Sequence, residues 1–221
     1  MNDDLIGRLL PTVLHEPEHW EKTYAHRELP ADAEVTRFGP SPTGFVHIGG
    51  IYTAMISRSV AHANGGTYLV RIEDTDQSRE VEGAVAQFER AFDYFEVASD
   101  EHDPSVPWGP YHQSARSDIY LTYVRELLRT DQAYPCFCTR EELDALAERQ
   151  REAKGGIGYF GEWAVCRNLN DDEVTTRLDA GLANVIRFRA PAAAANNRVT
   201  YTDVIRGSIE QEDNVQDTVV L

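Results

Sequence analysis

The stretch from Val35 to Tyr52, VTRFGPSPTGFVHIGGIY, constrains this chain more than any other. Val35-Thr36-Arg37-Phe38 suits a short strand with one buried side. Gly39-Pro40-Ser41-Pro42-Thr43-Gly44 then carries too much Gly and Pro for the interior of a helix or strand. His47-Ile48-Gly49-Gly50 leads into Ile51–Ala63, where Ile51, Ala54, Met55, Ile56, Val60 and Ala61 recur close to a helical period. A strand, a constrained loop, glycines and a helix start together turn backbone N–H groups and a positive helix end towards an anion. His47, just ahead of the glycines, adds a side-chain donor to the same place. The layout suits a phosphate-containing ligand.

The next residues extend the pattern. Asn64-Gly65-Gly66 is a helix stop, and Thr67–Glu73 reads as a buried strand with Asp74-Thr75-Asp76 at its end. Strand, helix and strand of these lengths predict a βαβ unit with a parallel pair. Ligands of such sheets bind beyond the carboxyl ends of the strands. The Gly39–Gly44 loop and Glu73–Asp76 both fall at that edge and are expected to face one crevice.

TRFGPSPTGFVHIGG resembles the first signature of glutamyl-tRNA synthetases, which are class I aminoacyl-tRNA synthetases, with His47-Ile48-Gly49-Gly50 as their form of the HIGH motif. RIEDTD, Arg71–Asp76, resembles their second signature. Tyr111-His112-Gln113-Ser114-Ala115-Arg116 is similar to their YxQSER stretch, with Ala115 where Glu is frequent. The resemblance implies an α/β fold: the first half of a class I synthetase Rossmann-like nucleotide-binding fold, with an inserted α+β connective domain that binds the tRNA acceptor. It implies ATP-dependent activation of L-glutamate to glutamyl-adenylate and transfer to the 3′ end of tRNA(Glu). His47, Gly49 and Gly50 become the catalytic residues. Pro40, Thr43, His47, Gly49 and Gly50 contact ATP with its Mg2+, and Arg37, Gly39, Ser41 and Glu73 hold glutamate.

Two relatives compete on the same motifs. Glutaminyl-tRNA synthetases differ in the acidic stretch, and His47–Gly50 together with Thr75 favours the tRNA synthetase over the glutamyl-queuosine tRNA(Asp) paralogue. From another class, a non-catalytic nucleotide- or tRNA-binding fragment is the alternative. No KMSKS-type lysine loop occurs in the 221 residues. The chain is therefore expected to match the N-terminal portion of a synthetase, and to be inactive or weak by itself.

The expected domains are a helical extension at 1–34, a Rossmann-like half at 35–110 and a connective domain at 111–221. In the extension Leu5, Leu9, Leu10 and Leu14 suggest one helix and Pro17–Glu21 the start of another, packed through Trp20 and Tyr24. Further helices are expected over Glu80–Phe95, with Phe95 inward, and over Arg116–Thr130, with Tyr123 inward. Ala133–Cys138 reads as a strand, Thr139-Arg140-Glu141-Glu142 as a capping box, and Asn170–Glu173 as a second cap. Asn184–Phe188, Arg198–Asp203 and Gly207–Gln211 read as strands separated by an Ala-rich turn.

A net charge of −16, with only Lys22 and Lys154 beside the arginines, argues against a simple electrostatic nucleic-acid binder, though a local basic groove remains compatible. No apolar run approaches a membrane span, and the acidic start is no secretory signal. A cytoplasmic, monomeric protein is expected. Three cysteines are too few for a disulfide framework. Cys136-x-Cys138 and Cys166 offer three thiolates for Zn2+, or are buried reduced thiols. Zinc-bearing relatives imply Tyr159 as the fourth ligand, with Glu162 or water as substitutes.

Overall fold

A computed structural model of the protein describes residues 1–101, 107–154, 156–191, 198–213 and 215–221. In chain order its first elements are α1 (Asp3–Leu9), α2 (Pro17–Thr23), β1 (Val35–Phe38), α3 (Ile48–Ala63), β2 (Thr67–Val70) and α4 (Ala84–Tyr94). There follow α5 (Ser117–Arg129), β3 (Ala133–Cys136), α6 (Arg140–Glu152), α7 (Asp171–Asp179), β4 (Val185–Phe188), β5 (Arg198–Asp203) and β6 (Gly207–Glu212). The expected Ala-rich turn lies outside the described residues. Among those described, no helix is long and apolar enough to cross a membrane.

The chain divides into two compact units, Met1–Leu14 with Leu121–Leu221, and His15–Tyr120. The division differs from the sequence expectation in two places. The extension is shared, its first 14 residues belonging with the C-terminal unit, and the second boundary falls at 120/121, inside α5, rather than at 110/111. The reason lies in α1: Ile6 and Leu10 are buried with Val124, Leu128, Ala133 and Ile186. Polar contacts reinforce this, from Arg8 to Asp179 at 2.7 Å and from Asn2 Nδ2 to Asp171 Oδ2 at 2.8 Å.

In the unit His15–Tyr120, β1 and β2 pair in parallel, with Val35 opposite Thr67 and Phe38 opposite Val70. The helix between them, α3, completes the expected βαβ unit. One face of the pair packs into a core of Ile51, Ala54, Ala61, Tyr68, Phe88 and Phe92. Fully burying side chains of this size contributes about 1.5–3 kcal/mol each. Gly66 is required at the entry to β2, because any Cβ there would strike the backbone of Glu34. β2 ends at Val70 rather than Glu73, since Ile72 leaves to bridge His112.

The helix expected from Glu80 starts at Ala84. Gly83, at φ +80°, lies outside helical geometry and fixes that start. Phe95 falls beyond the last turn and is exposed. On α5, Ile119 and Leu128 are buried as expected, whereas Tyr123 is exposed and Thr122 and Val124 are buried. Both capping boxes form, Thr139 with Glu142 and Asn170 with Glu173.

In the other unit β3 and β4 are antiparallel, with Cys136 opposite Val185. The C-terminal segment lies against β4 through Ile186 N–H to Leu221 O at 2.9 Å and Phe188 N–H to Thr218 O at 2.8 Å. β5 and β6 form an antiparallel hairpin that is exposed along almost its whole length.

Candidate active site and metal centre

The loop after β1 is clamped by three hydrogen bonds to segments that follow β2. Pro40 O accepts from Glu73 N–H at 2.8 Å, and Pro42 O from Val81 N–H at 2.8 Å. Val46 N–H donates to Gln87 Oε1 at 2.9 Å. With Pro42 fully buried, a loop without regular structure is held in one conformation. The Gly39–Gly44 loop and Glu73 thus meet at the carboxyl edge, as the sequence suggests.

Arg37, near the end of β1, forms an ion pair with Glu73. Both side chains are partly open to solvent, at 39% and 36% exposure. Gly39 sits against this pair, and a Cβ there would collide with Arg37 Nη1 and the Glu73 carboxylate. Arg37, Gly39, Pro40 and Glu73 therefore form one cluster. Ser41 and Thr43 are exposed on the loop, and neither side chain makes a hydrogen bond among the described residues.

The second cluster is the start of α3. His47 is its N-cap, and His47 Nδ1 accepts from Gly49 N–H at 3.2 Å. Because Nδ1 is the acceptor, the neutral ring carries its proton on Nε2, which stays available as a donor. A Cβ on Gly49 would lie 3.0 Å from His47 Cε1, and one on Gly50 3.3 Å from Val46 Cγ2. The first turn of α3 contains no acidic residue, so nothing within it opposes an anion at the positive helix end.

Asp74 is a residue of this region that the sequence does not single out. It accepts from Ser114 N–H at 2.8 Å, Ser114 Oγ at 2.8 Å and His112 Nδ1 at 3.0 Å. Burial pushes its carboxyl up, but these hydrogen bonds outweigh burial and hold it down at about 2. Asp74 thereby anchors the residue beside Glu73 to the segment leading into α5. The acid is visible in RIEDTD, but no spacing rule links it to a serine forty positions later.

In the other unit, the Sγ atoms of Cys136, Cys138 and Cys166 lie within 4.8 Å of one another. Cys138 and Cys166 are 3.6 Å apart. The Tyr159 hydroxyl is 3.4 Å from Cys136 Sγ and 3.3 Å from Cys138 Sγ, and it accepts from Cys166 N–H at 3.0 Å. A tetrahedral Zn2+ with ordinary bond lengths sets neighbouring sulfurs about 3.7 Å apart and sulfur from oxygen about 3.5 Å. The Cys138–Cys166 distance and the two phenol–sulfur distances match that spacing, and Cys136 Sγ lies within 4.8 Å of the other two sulfurs. Glu162 is exposed and outside the cluster. The short 3-10 turn Gly161–Trp163, with Gly161 at φ +53°, takes up the seven-residue gap between Tyr159 and Cys166.

Hydrogen bonding from Cys166 pulls the Cys136 thiol down, against burial and with help from Tyr159, to about 4. Burial raises Cys138 and Tyr159, while hydrogen bonding to Cys136 followed by burial raises Cys166. One thiolate is thus shared by its neighbours' protons, a charge state that a divalent cation extends to the other sulfurs. The frame around the cluster is polar and buried. Gln150 grips Gly158 through both its amide atoms at 2.6 and 3.0 Å, and the Arg187 guanidinium lies 4.1 Å over the Tyr159 ring.

Residues 34–221 match the family described as tRNA synthetases class I (E and Q), catalytic domain. The chain belongs to this family. Among similar proteins, the glutamate–tRNA ligase of Clostridium perfringens strain 13 is 40% identical over 224 residues, covering 99% of this chain and 41% of the ligase. That of Clostridium beijerinckii is 41% identical over 224 residues, with 99% and 40% covered. A crystal structure of a glutamate tRNA ligase from Elizabethkingia meningosepticum, in complex with its amino acid, superimposes with a TM-score of 0.73 at 36% identity. The match covers 85% of this chain and 38% of that one. This class I synthetase chain therefore spans about 40% of the length of the relatives it matches, and its α/β, Rossmann-like fold is theirs.

Proposed function

We propose that this chain contributes the first half of the site at which L-glutamate is activated by ATP and transferred to tRNA(Glu). The observation that carries the reading is the meeting of the Arg37–Glu73 pair with the loop that leads into His47 and α3. The two side chains offer opposite charges to a substrate that bears both. Arg37 takes the side-chain carboxylate by a charge-assisted contact, Glu73 takes the ammonium group, and Ser41 and Gly39 border the α-carboxylate. His47 Nε2–H donates to the ATP phosphates, whose negative charge the helix end favours. Gly49 and Gly50 let the nucleotide approach the backbone, with Pro40 and Thr43 beside it. Mg2+ bound with ATP would supply positive charge to the phosphates, and no residue of this chain is assigned to hold it. In-line attack of the glutamate α-carboxylate on the α-phosphorus forms glutamyl-adenylate and releases pyrophosphate. The protein's share is positioning and charge stabilisation.

Residues 35–120 serve as the nucleotide half and 121–221 as the connective, acceptor-binding part. Cys136, Cys138, Tyr159 and Cys166 would hold a structural Zn2+, which would tie β3 to the loop after α6. The protein works in the cytoplasm as a monomer. A reading as a glutamyl-queuosine enzyme has less support, because the similar proteins named above are glutamate–tRNA ligases.

The test is calorimetric binding of a stable glutamyl-adenylate analogue to the 221-residue protein and to H47A and R37A. Each substitution is expected to weaken binding at least tenfold, about 1.4 kcal/mol. Unchanged affinity in H47A, or no binding by the parent protein, refutes the assigned roles. Metal analysis of protein purified without chelator tests the second site, and a zinc content near zero removes it.

A further inference from the structure

The cluster of thiols and phenol opens on one side. Cys136, Cys166 and Tyr159 are buried, at 1, 5 and 5% exposure, and Cys138 is half-buried. Cys138 and Cys166 both line a cleft of about 300 Å³, built entirely within the unit that holds β3, α6 and α7, whereas Cys136 and Tyr159 do not line it. The other flanks of the cluster are covered. Cys136 sits in β3 opposite Val185, the Arg187 guanidinium lies 4.1 Å over the Tyr159 ring, and Gln150, at 1% exposure, holds the loop at Gly158.

The lining of this cleft is apolar and cationic. Val165 and Leu182 stand at 59% and 48% exposure. Arg149 is exposed on α6, and its guanidinium has neither an ion pair nor a hydrogen bond among the described residues. Arg177 donates Nη1 to Glu173 O at 3.1 Å, which leaves its other N–H groups for a ligand. The acid of the lining, Glu142, is engaged in its capping box, where the carboxylate accepts from Thr139 N–H at 2.9 Å. In a chain of net charge −16, two arginines around one cleft reverse the local field, and such a field concentrates ions of opposite sign. Resting on the metal reading above, we infer that this cleft is the exchange route of the Cys136–Cys138–Tyr159–Cys166 centre, and that it admits small anionic chelating ligands bearing carboxylate or thiolate groups. The incoming donor atom forms its bond to the ion as the bond to Cys138 Sγ breaks, and the released thiolate takes a proton from water. Cys138 is displaced first, because it is the least buried of the four and lines the cleft.

The experiment uses the 221-residue protein loaded with Co2+, whose bonds to thiolates absorb visible light. Loss of that absorption is timed against excess EDTA, an anionic chelator, and excess phenanthroline, a neutral one. The EDTA rate is expected to rise with EDTA concentration and to fall roughly threefold or more in R149Q, an effect that high salt suppresses and that R149K does not show. The phenanthroline rate is expected to be the same in R149Q as in the parent. V165W, which narrows the cleft, should slow release to both chelators without weakening Co2+ binding. Brief treatment of the loaded protein with iodoacetamide, followed by peptide mapping, should label Cys138 before Cys136 or Cys166. Release at a rate independent of chelator concentration overturns the inference, because the ion then leaves through an opening of the protein. An EDTA rate that R149Q leaves unchanged, an equal effect of R149Q on both chelators, or first labelling at Cys136 overturns it too. A protein that takes up neither Co2+ nor Zn2+ removes the metal centre itself and the route with it, whereas the other failures remove the route alone.

Discussion

Replacing Asp217 by alanine is expected to be among the most damaging single changes to this chain. The carboxylate is fully buried, at 0% side-chain exposure. It accepts from the Tyr134 hydroxyl, from Arg167 and from Ala190 N–H, the last at 3.0 Å. Its own N–H reaches Tyr159 O at 2.8 Å, and its carbonyl accepts from Arg187 at 2.8 Å. Removing the carboxylate leaves a guanidinium that is only 20% exposed without its counter-charge and a buried tyrosine hydroxyl without an acceptor. Breaking a buried pair from one side costs about 3–5 kcal/mol. Against a domain stability of about 5–15 kcal/mol, D217A therefore removes a large fraction. Equilibrium urea denaturation measures it, with the slope unchanged if only stability is altered. The control is D179A, which breaks the exposed Arg8–Asp179 pair at 37% and 64% exposure and is expected to cost less than about 1 kcal/mol. A D217A loss as small as that of D179A would refute the reasoning, because it would mean that Arg167 and Tyr134 find water without cost.

Other expectations follow from single contacts. Asp74 has a folded pKa of about 2, below the ordinary carboxylate value. Its contribution, about 1–2 kcal/mol, is present above the unfolded pKa of about 4 and is lost as pH falls from there through 2. The stability of D74N should then fall less with pH over that window than that of the parent, and parallel profiles would remove Asp74 from the account. G66A sets a Cβ against the rigid backbone of Glu34 and should cost at least about 2 kcal/mol, whereas G44A, with nothing within 4 Å, should be nearly neutral. G49A crowds the His47 ring at 3.0 Å and should weaken the adenylate analogue while moving the denaturation midpoint little. Chelator treatment of zinc-loaded protein should lower its stability, and Y159F should speed metal loss, as followed with a chromogenic chelator.

Local rules determine what can be read from the residues alone. The strand, loop and helix of Val35–Ala63 follow from Gly and Pro placement and from a 3.6-residue period, and both capping boxes from four-residue patterns. The three cysteines stand out in the same way, and so does the charge complement of Arg37 and Glu73. Long-range pairing leaves no such trace. Asp217 lies in a stretch without periodicity, and its partners Tyr134, Arg167 and Ala190 are scattered over more than fifty residues. α1 reads as part of a separate extension because its leucine pattern states that it is amphipathic without stating what it covers. The start of α4 is placed too early because Val81 looks helical in sequence, yet its N–H is spent on Pro42 O.

That last exchange bears on how the site works. Pro40, Pro42 and Val46 direct their backbone groups to Glu73, Val81 and Gln87 rather than to a regular element. The segment after β2 thereby fixes the loop in front of His47, and Asp74 fixes that segment in turn to Ser114. The order of dependence runs from Ser114 through Asp74 and Glu73 to the loop, so a change at Ser114 should reach the site without touching it. S114A removes one of the two hydrogen bonds that Ser114 gives Asp74 and keeps its backbone N–H. It should cost about 1 kcal/mol of stability and weaken the adenylate analogue several-fold. D74N should weaken it further, and the double variant should fall short of the sum, because both act through one contact. Additive losses in calorimetry would mean that the loop holds its shape unaided.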